Sequence, residues 1–295
     1  MNLVPQILNI LESGKTRKVL LVPKSPILMK VGKYTSPAQP ASVVSPQDVR
    51  DTLSGLATMG NYQILIGSSK AGDGTFTIST QDLGRIRVNF IIQRGTPVIF
   101  IERIPSVIPP LTETLHDETS IKAILELIKA NTGLILFTGS DADSVAEVIY
   151  SILKHVNDHE KKVIYTVENP LRYLLNNNKS VVVQREVKVD VESTAQGILQ
   201  SLLLETDLLY VDDIPDRDAL ENLIHVASRG TLCLVKYPSW TPLLAIKRIL
   251  RLKVSDTLLP QLFNELILRV VHLKERGKII ILSSQKEKDA LFYGN

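Results

Sequence analysis

Four residues, Gly139, Ser144, Val145 and Ala146, occupy the places at which a strand–turn–helix junction would hold a phosphate. The junction runs from Gly133 to Asn157. Leu134 to Phe137 is an unbroken apolar run ending in Thr138-Gly139, the pattern of a strand buried on both faces of a parallel sheet. The period then changes: Val145, Val148, Ile149, Ile152, Leu153 and Val156 recur on one face of a helix. Such a junction is the setting of a phosphate-binding loop, in which glycine amides cradle the phosphates, a lysine neutralises them and a hydroxyl holds magnesium. With Gly139 as the first glycine of G-x-x-x-x-G-K-[ST], the last three places fall to Ser144, Val145 and Ala146. Glycine, lysine and hydroxyl are all missing. Asp141 and Asp143 add charge of the wrong sign, since a carboxylate ~4 Å from a phosphate charge is repelled by roughly 4 kcal/mol at an effective dielectric near 20.

The same stretch also reads as a plain helix start. Ser144-Val145-Ala146-Glu147 fits a capping box with Ser144 as the cap, and acids beside a helix N-terminus are favoured by its dipole.

Carboxylates end two further apolar runs. Leu208-Leu209-Tyr210-Val211 leads into Asp212-Asp213, the shape of a strand whose acid holds magnesium and orients water; loop acids after a buried strand look the same. Glu168-Asn169-Pro170 ends the run from Val163 in the same way, at the sheet edge where open α/β sheets bind ligands. Asp213, Glu168, Asp141 and Asp143 are expected to converge there with no lysine opposite them, an arrangement nearer to a cation site than to a triphosphate site.

Three arginines, Arg85, Arg87 and Arg94, lie on an alternating strand and the turn after it. They read either as a solvated strand face or as forks reaching a carboxylate or phosphate on another domain or subunit. Lys247, Arg248, Arg251 and Lys253 give one helix a basic flank, read most simply as a solvated surface and otherwise as one facing an acidic partner.

The elements that position these residues fall into two groups. In the first, Leu3, Ile7, Leu8 and Leu11 have helical spacing and Gly14 stops the helix. Strands are expected at Val19–Val22 and Ile27–Val31, with a turn at Gly32-Lys33. Ser45 caps a helix with Pro46 in its first turn and Val49, Leu53 and Leu56 inward. Strands follow at Phe76–Ser79, Ile86–Ile92 and Val98–Ile101, making an α+β domain over residues 1–104. Residues 105–116, with Pro105, Pro109 and Pro110, read as a linker. From 117 to 295 helices and apolar runs alternate in the α/β pattern of a largely parallel sheet: helix His116–Ala130, the Gly133 strand, strands Val163–Val167 and Val181–Val183, helix Ser193–Leu204, strand Leu208–Val211, helix Arg217–Ser228 and strand Leu232–Val235. Helices Leu243–Leu250 and Leu262–Leu273 and a strand at Ile279–Leu282 close the chain.

The 295 residues are 44% hydrophobic with a net charge of +3, and without a dense basic block or interleaved aromatics that charge does not argue for nucleic acid. The lone Cys233 lies in an apolar run, as a packed thiol in a reducing compartment would, and neither it nor the five histidines have metal-ligand spacing. No run approaches the ~20 apolar residues of a membrane span, and Met1–Leu11 lacks the basic flank and cleavage site of a signal peptide, so a cytoplasmic protein is expected.

In their order along the chain these pieces resemble the type II and type IV secretion ATPase family, and within it the short retraction-type pilus motors. Pro26–Gly32 is similar to its proline-rich strand and turn, and Ser45-Pro46-Gln47-Asp48-Val49 to the helix after it. Arg85-Ile86-Arg87-Val88-Asn89-Phe90 with Gln93-Arg94-Gly95 resembles its RxRVNxFxQRG signature. Gly133–Gly139 falls where the family enters its Walker A loop, Glu168-Asn169-Pro170-Leu171 is similar to its acidic box, and Val183-Gln184-Arg185-Glu186-Val187 to the NQREV segment after it. The resemblance covers roughly residues 1–250. It implies a PAS-like N-terminal domain followed by a RecA-like, P-loop-NTPase-fold domain, and hexameric rings at the cytoplasmic face of a pilus or secretion platform.

The departures are systematic. Val145 and Ala146 replace the Walker lysine and hydroxyl, and Asn169 and Arg172 replace two acids of the acidic box. Asp212-Asp213 stands for the Walker B Gly-Glu, and Gln200 and Leu204 for nearby basic residues. Both histidines of the histidine box are missing, from Arg229-Gly230-Thr231 and from Lys236-Tyr237-Pro238-Ser239, and Arg17 and Val19 stand where an acid and a histidine are common. Phosphoryl transfer needs cations, one arginine finger alone contributing about 10³ to 10⁵ in rate. The expectation is a catalytically degenerate relative that binds no ATP, magnesium or other metal. It is expected to partner an active motor or its inner-membrane platform, as a homo- or hetero-oligomer, hexameric if it follows the family, without inserting in the membrane itself. The alternatives are a motor with displaced groups, using Asp213 for magnesium and a neighbour's arginine for phosphates, and an emptied cleft that senses another small ligand such as a cation or cyclic nucleotide.

Overall fold

Ser45 opens the helix on which the first unit is built, accepting from the Asp48 amide while the Asp48 carboxylate takes the Ser45 amide in return. The computed structural model describes residues 2–31, 34–62, 72–255, 257–274 and 277–282, so the expected turn at Gly32-Lys33 lies outside the described residues. The chain divides into two compact units, Met1–Ser106 and Val107–Asn295.

In the first unit α1 (Val4–Glu12) buries Val4, Ile7 and Leu11, and Gly14 takes the positive φ of 72° that ends it. Strands β1 (Lys18–Leu21), β2 (Leu28–Val31) and β3 (Tyr34–Pro37) precede α2 (Pro46–Met59). Strands β4 (Gly74–Thr80), β5 (Gly84–Gln93) and β6 (Thr96–Ile104) follow. They form one antiparallel sheet in the order β3-β2-β1-β6-β5-β4. Val49, Leu53 and Leu56 of α2 meet Ile86, Val88 and Phe90 of β5 in the core, as the alternation in β5 requires. The polar Tyr34–Pro37 edge strand was not expected, because it is exposed throughout and shows no apolar alternation.

The second unit begins with two helices, α3 (Leu111–Thr114) and α4 (Glu118–Leu127). Ile108, Leu111 and Leu115 are buried in its core, so the proline-rich stretch carries apolar anchors that its composition hid. Next come β7 (Gly133–Gly139), α5 (Ala142–His159), β8 (Val163–Glu168) and β9 (Val181–Glu186). After them stand α6 (Thr194–Gln200), continued by a 3-10 turn, β10 (Leu208–Val211), α7 (Arg217–Ser228), β11 (Leu232–Lys236) and α8 (Pro242–Arg251). Strands β12 (Ile267–Leu273) and β13 (Ile279–Leu282) complete the sheet, ordered β13-β12-β7-β11-β10-β8-β9. All neighbours are parallel except β12 and β13.

Helices cover both faces of this sheet. Leu134 and Leu136 of β7 enter the core shared with α7 and α8, whereas Ile135 and Phe137 enter the core shared with α4 and α5. The central strands are therefore buried on both faces along most of their length, the signature of a doubly covered parallel sheet.

The expected helix at Leu262–Leu273 is corrected. Only Gln261–Leu266 is helical, as a wide π turn, and Ile267–Leu273 is the strand that fills the place beside β7. Its Val270-Val271 pair favours the pleated surface, and apolar spacing alone does not separate a short buried strand from a helix.

Gly197 marks a tight contact in this unit: a β-carbon there would lie 2.8 Å from Val167 Cγ1 and 3.1 Å from Val167 Cγ2. Val167 is stiff and buried. Gly197→Ala is therefore expected to lower unfolding stability by about 1–3 kcal/mol in urea denaturation, overpacking outweighing the helix propensity gained.

Candidate functional site

The carboxyl ends of β7, β8, β10 and β11 bring most of the sequence-selected residues to one edge of the sheet, where ligands of open α/β sheets sit. At β7 the path from strand to helix is short. Gly139 ends β7 and Ala142 begins α5, leaving only Ser140 and Asp141 between them. The helix cap is Asp141, not Ser144. The Asp141 carboxylate accepts from the Asp143 amide at 3.2 Å and from the Ser144 hydroxyl at 2.6 Å. An ionised carboxylate is a stronger acceptor than a serine hydroxyl, and capping one residue after Ser140 starts the helix a turn earlier than the expected box.

That early start settles where the remaining positions go. The Val145 amide donates to the Asp141 carbonyl at 3.2 Å within the helix. The side chains of Val145 and Ala146 are 1% exposed. A β-carbon on Gly139 would lie 2.8 Å from Val145 Cγ2 and 3.1 Å from Leu273 Cβ, so the glycine permits the helix and β12 to close on the strand end. Asp143 is ion-paired to Arg172 at 2.7 Å, and Arg172 also approaches Glu147 at 3.8 Å.

The carboxylates do not form an open cluster. Glu168 is fully buried. The Tyr150 hydroxyl straddles its two oxygens at 2.6 and 2.5 Å, the Thr166 hydroxyl donates at 2.7 Å and the Arg172 amide at 3.3 Å. Burial, with the nearby Asp212 charge adding to it, pushes the Glu168 carboxyl up to about 7, against the pull of the Tyr150 and Thr166 hydrogen bonds. Asp212, 8% exposed, is ion-paired to Lys236 and accepts from the Tyr210 hydroxyl at 2.9 Å. Burial first, and the neighbouring carboxylates second, hold both phenols well above their ordinary range, so they remain protonated donors. Tyr150 packs against Tyr173 and edge-on against Tyr210, with ring centroids 4.8 and 5.7 Å away. Asp213 is half-exposed and faces Arg248 at 4.0 Å, while Asn169 lies exposed on the turn.

The four acids expected to converge are instead held apart: Glu168 is buried among hydroxyl donors, Asp141 caps α5, and arginines rather than lysines face the other two, Arg172 at Asp143 and Arg248 at Asp213, while Lys236 pairs with Asp212. Lys236 and the three tyrosines were missed. The parallel register sets Tyr210 beside Thr166 on β8 and Val211 beside Val167, and that pairing was the only available signal.

A model of the type II/IV secretion system protein family matches residues 102–288, which spans more than half of the chain. The chain belongs to that family. Over 231 residues it is 25% identical to the type IV pilus ATPase PilU of Pseudomonas aeruginosa, covering 78% of this chain and 58% of that protein. It is also 25% identical over 158 residues to the type IV pilus retraction ATPase PilT of the same organism, covering 53% and 44%. The chain therefore spans about half the length of the curated relatives it matches. The crystal structure of the pilus retraction motor PilT with bound ADP superposes with a TM-score of 0.76 at 19% identity, over all of this chain and 87% of that one. The Legionella pneumophila ATPase DotB superposes with 0.75 at 16%, over 99% and 84%. These likenesses give this member of the secretion family a PilT-like fold: an antiparallel N-terminal sheet unit followed by a mostly parallel one.

The three arginines of the first unit are separated by the same fold. Arg94 forms with Gly95 a two-residue turn in which both φ angles are positive, 51° and 73°, joining β5 to β6. Arg85 is half-buried. Arg87, only 7% exposed and paired across the sheet with Glu102, is not part of a solvated face.

The raised Glu168 carboxyl has a consequence for stability. Its folded value of about 7 exceeds the ordinary 4.5, so the folded state holds the proton more tightly and this contribution is complete below pH 4.5. It fades as pH rises through about 7, where ionisation leaves a buried charge. In melting experiments across this window Glu168→Gln, a permanently neutral group, is expected to flatten the loss of stability between pH 4.5 and 7.5 that the native chain shows.

Proposed function

We propose that this family member neither binds nor hydrolyses ATP, and that it serves as a structural or regulatory partner of an active pilus or secretion motor or of that motor's inner-membrane platform. The observation that carries the reading is the junction between β7 and α5. A phosphate-binding loop needs free amides facing an open space, a lysine and a hydroxyl. Here the link is two residues long, the helix amides are turned onto Asp141 and its carbonyl, and Val145 and Ala146 are packed in the core. Glu168 and Asp212 are engaged by Tyr150, Thr166, Tyr210 and Lys236, and Asp213, the acid a displaced motor would use for magnesium, faces Arg248 at 4.0 Å. Among the described residues Arg172 is paired with Asp143 and Lys236 with Asp212, and the two acids of the turn would repel a triphosphate at Gly139.

The relatives supply the partner class. PilU and PilT are named as type IV pilus ATPases, and the solved PilT carries ADP. A chain that keeps their scaffold without their phosphate chemistry can still present the family's contact surfaces, in the cytoplasm and within a homo- or hetero-oligomer of the hexameric kind. Pulldown from the native host is expected to recover a pilus or secretion motor component.

Magnesium-ATP provides the direct test. A ligand held only by the folded state adds about 2.7 kcal/mol at 100 times its Kd. The purified chain is expected to show no phosphate release and no rise in Tm at millimolar magnesium-ATP. Turnover, or a Tm rise that Val145→Asp abolishes, would refute the proposal.

A further inference from the structure

Helix α8 and the residues flanking it, from Trp240 to Lys253, contain no aspartate or glutamate. Ala245, Ile246 and Ile249 face the core. The opposite face carries Leu244, Lys247 and Arg251 at spacings of three and four residues, with Leu250 on its flank and Trp240 just before the Thr241 cap. Trp240 is 66% exposed, Leu244 46% and Leu250 36%. Arg248 is committed elsewhere: it donates to the Pro238 carbonyl at 2.7 Å, stacks 4.1 Å from the Tyr237 ring and faces Asp213. Among the described residues Lys247, Arg251 and Lys253 have no carboxylate against them.

We infer that this face is an interfacial contact for an anionic lipid surface, with Trp240, Leu244 and Leu250 entering the headgroup layer and Lys247, Arg251 and Lys253 meeting lipid phosphates. Cations alone would suit any acidic partner. The apolar side chains decide between partners, because Leu244 and Leu250 on the helix and Trp240 just before its cap are exposed large apolar groups among the cations. A fluid interface accommodates such a ridge and favours tryptophan at headgroup depth, whereas an acidic protein would have to supply a matching apolar cleft. The contact is peripheral, since no helix among the described residues is long and apolar enough to cross a membrane. It stands whether or not the chain binds nucleotide.

Trp240 is the only tryptophan in the chain, so its fluorescence reports this face alone. The purified chain is floated with vesicles of phosphatidylglycerol and phosphatidylethanolamine, and with vesicles of phosphatidylcholine, while Trp240 emission is recorded. Binding to the anionic vesicles only, with a shift of emission to shorter wavelength and release as salt rises, is the expected result. Each basic side chain near an anionic surface contributes roughly fivefold, so Lys247→Gln with Arg251→Gln is expected to weaken partitioning about 25-fold while leaving Tm unchanged. The pair Lys247→Arg and Arg251→Lys should bind as the native chain does. No flotation with the anionic vesicles, or flotation with unshifted Trp240 emission, would overturn the assignment. So would retention on poly-glutamate without vesicle binding, which assigns the face to an acidic protein.

Discussion

Everything at the candidate site follows from how closely Val145 approaches Gly139. A strand end without a β-carbon lets α5 begin after only two intervening residues and lie against it, with Leu273 of β12 closing the other side. A branched aliphatic buried at this point needs the helix to be already formed, which the Val145 amide confirms by bonding to the Asp141 carbonyl. Asp141 must then cap the helix, and Asp143 falls in its first turn, where Arg172 pairs with it. The dipole that would attract a phosphate is met by the chain's own acids. One apolar contact thus determines the cap, the ion pair and the direction of the first helix amides.

Buried acids at such an edge must be satisfied by the protein itself, because an uncompensated buried charge costs several kcal/mol. Glu168 and Asp212 solve this in different ways. Among the described residues no cation is paired with Glu168, which relies on hydroxyl donors from Tyr150 and Thr166, so burial prevails and its proton affinity rises. Asp212 has Lys236, delivered by the end of the neighbouring strand, and the Tyr210 hydroxyl. The three tyrosines do double duty: their rings fill the apolar core on the α5 face, and two of their hydroxyls bind the two carboxylates. Exchanging either tyrosine donor for phenylalanine would keep the volume and strand an acceptor, so shape and polarity are coupled here in a way the aliphatic core is not.

Much of this was legible in the residues. The uninterrupted run Leu134–Phe137 revealed a strand covered on both sides, and the spacing from Val145 to Val156 revealed the helix after it, because both patterns record burial directly. Ser45 was recognisable as a cap because its box partner Asp48 lies three residues on. Ser144 matched the same template and failed, since a local pattern cannot rank two competing acceptors; Asp141 prevailed through its charge and through the burial of Val145. The strand at Ile267–Leu273 was hidden because its partner β7 lies more than a hundred residues earlier, and pairing at that distance leaves no periodicity to read. Lys236 and Tyr210 were obscured for the same reason. Their roles exist only once parallel pairing sets β10 between β8 and β11.

The fold is shared with PilT at 19% identity, so many sequences reach it. The two cores of the second unit require apolar volume at alternating positions of each strand and on one face of each helix, and many aliphatic combinations meet that demand. The strand ends are held by no such degeneracy: their residues answer to whatever occupies the edge. When the occupant is a phosphate, glycine, lysine and hydroxyl are needed together, and no one of them is useful alone. When the edge is instead closed by protein groups, the requirement passes to aliphatic contact at Gly139 and Val145 and to paired donors for Glu168 and Asp212. The residues at this edge are then mutually dependent, and a lysine placed at Val145 alone would bury a charge against Gly139 and Leu273.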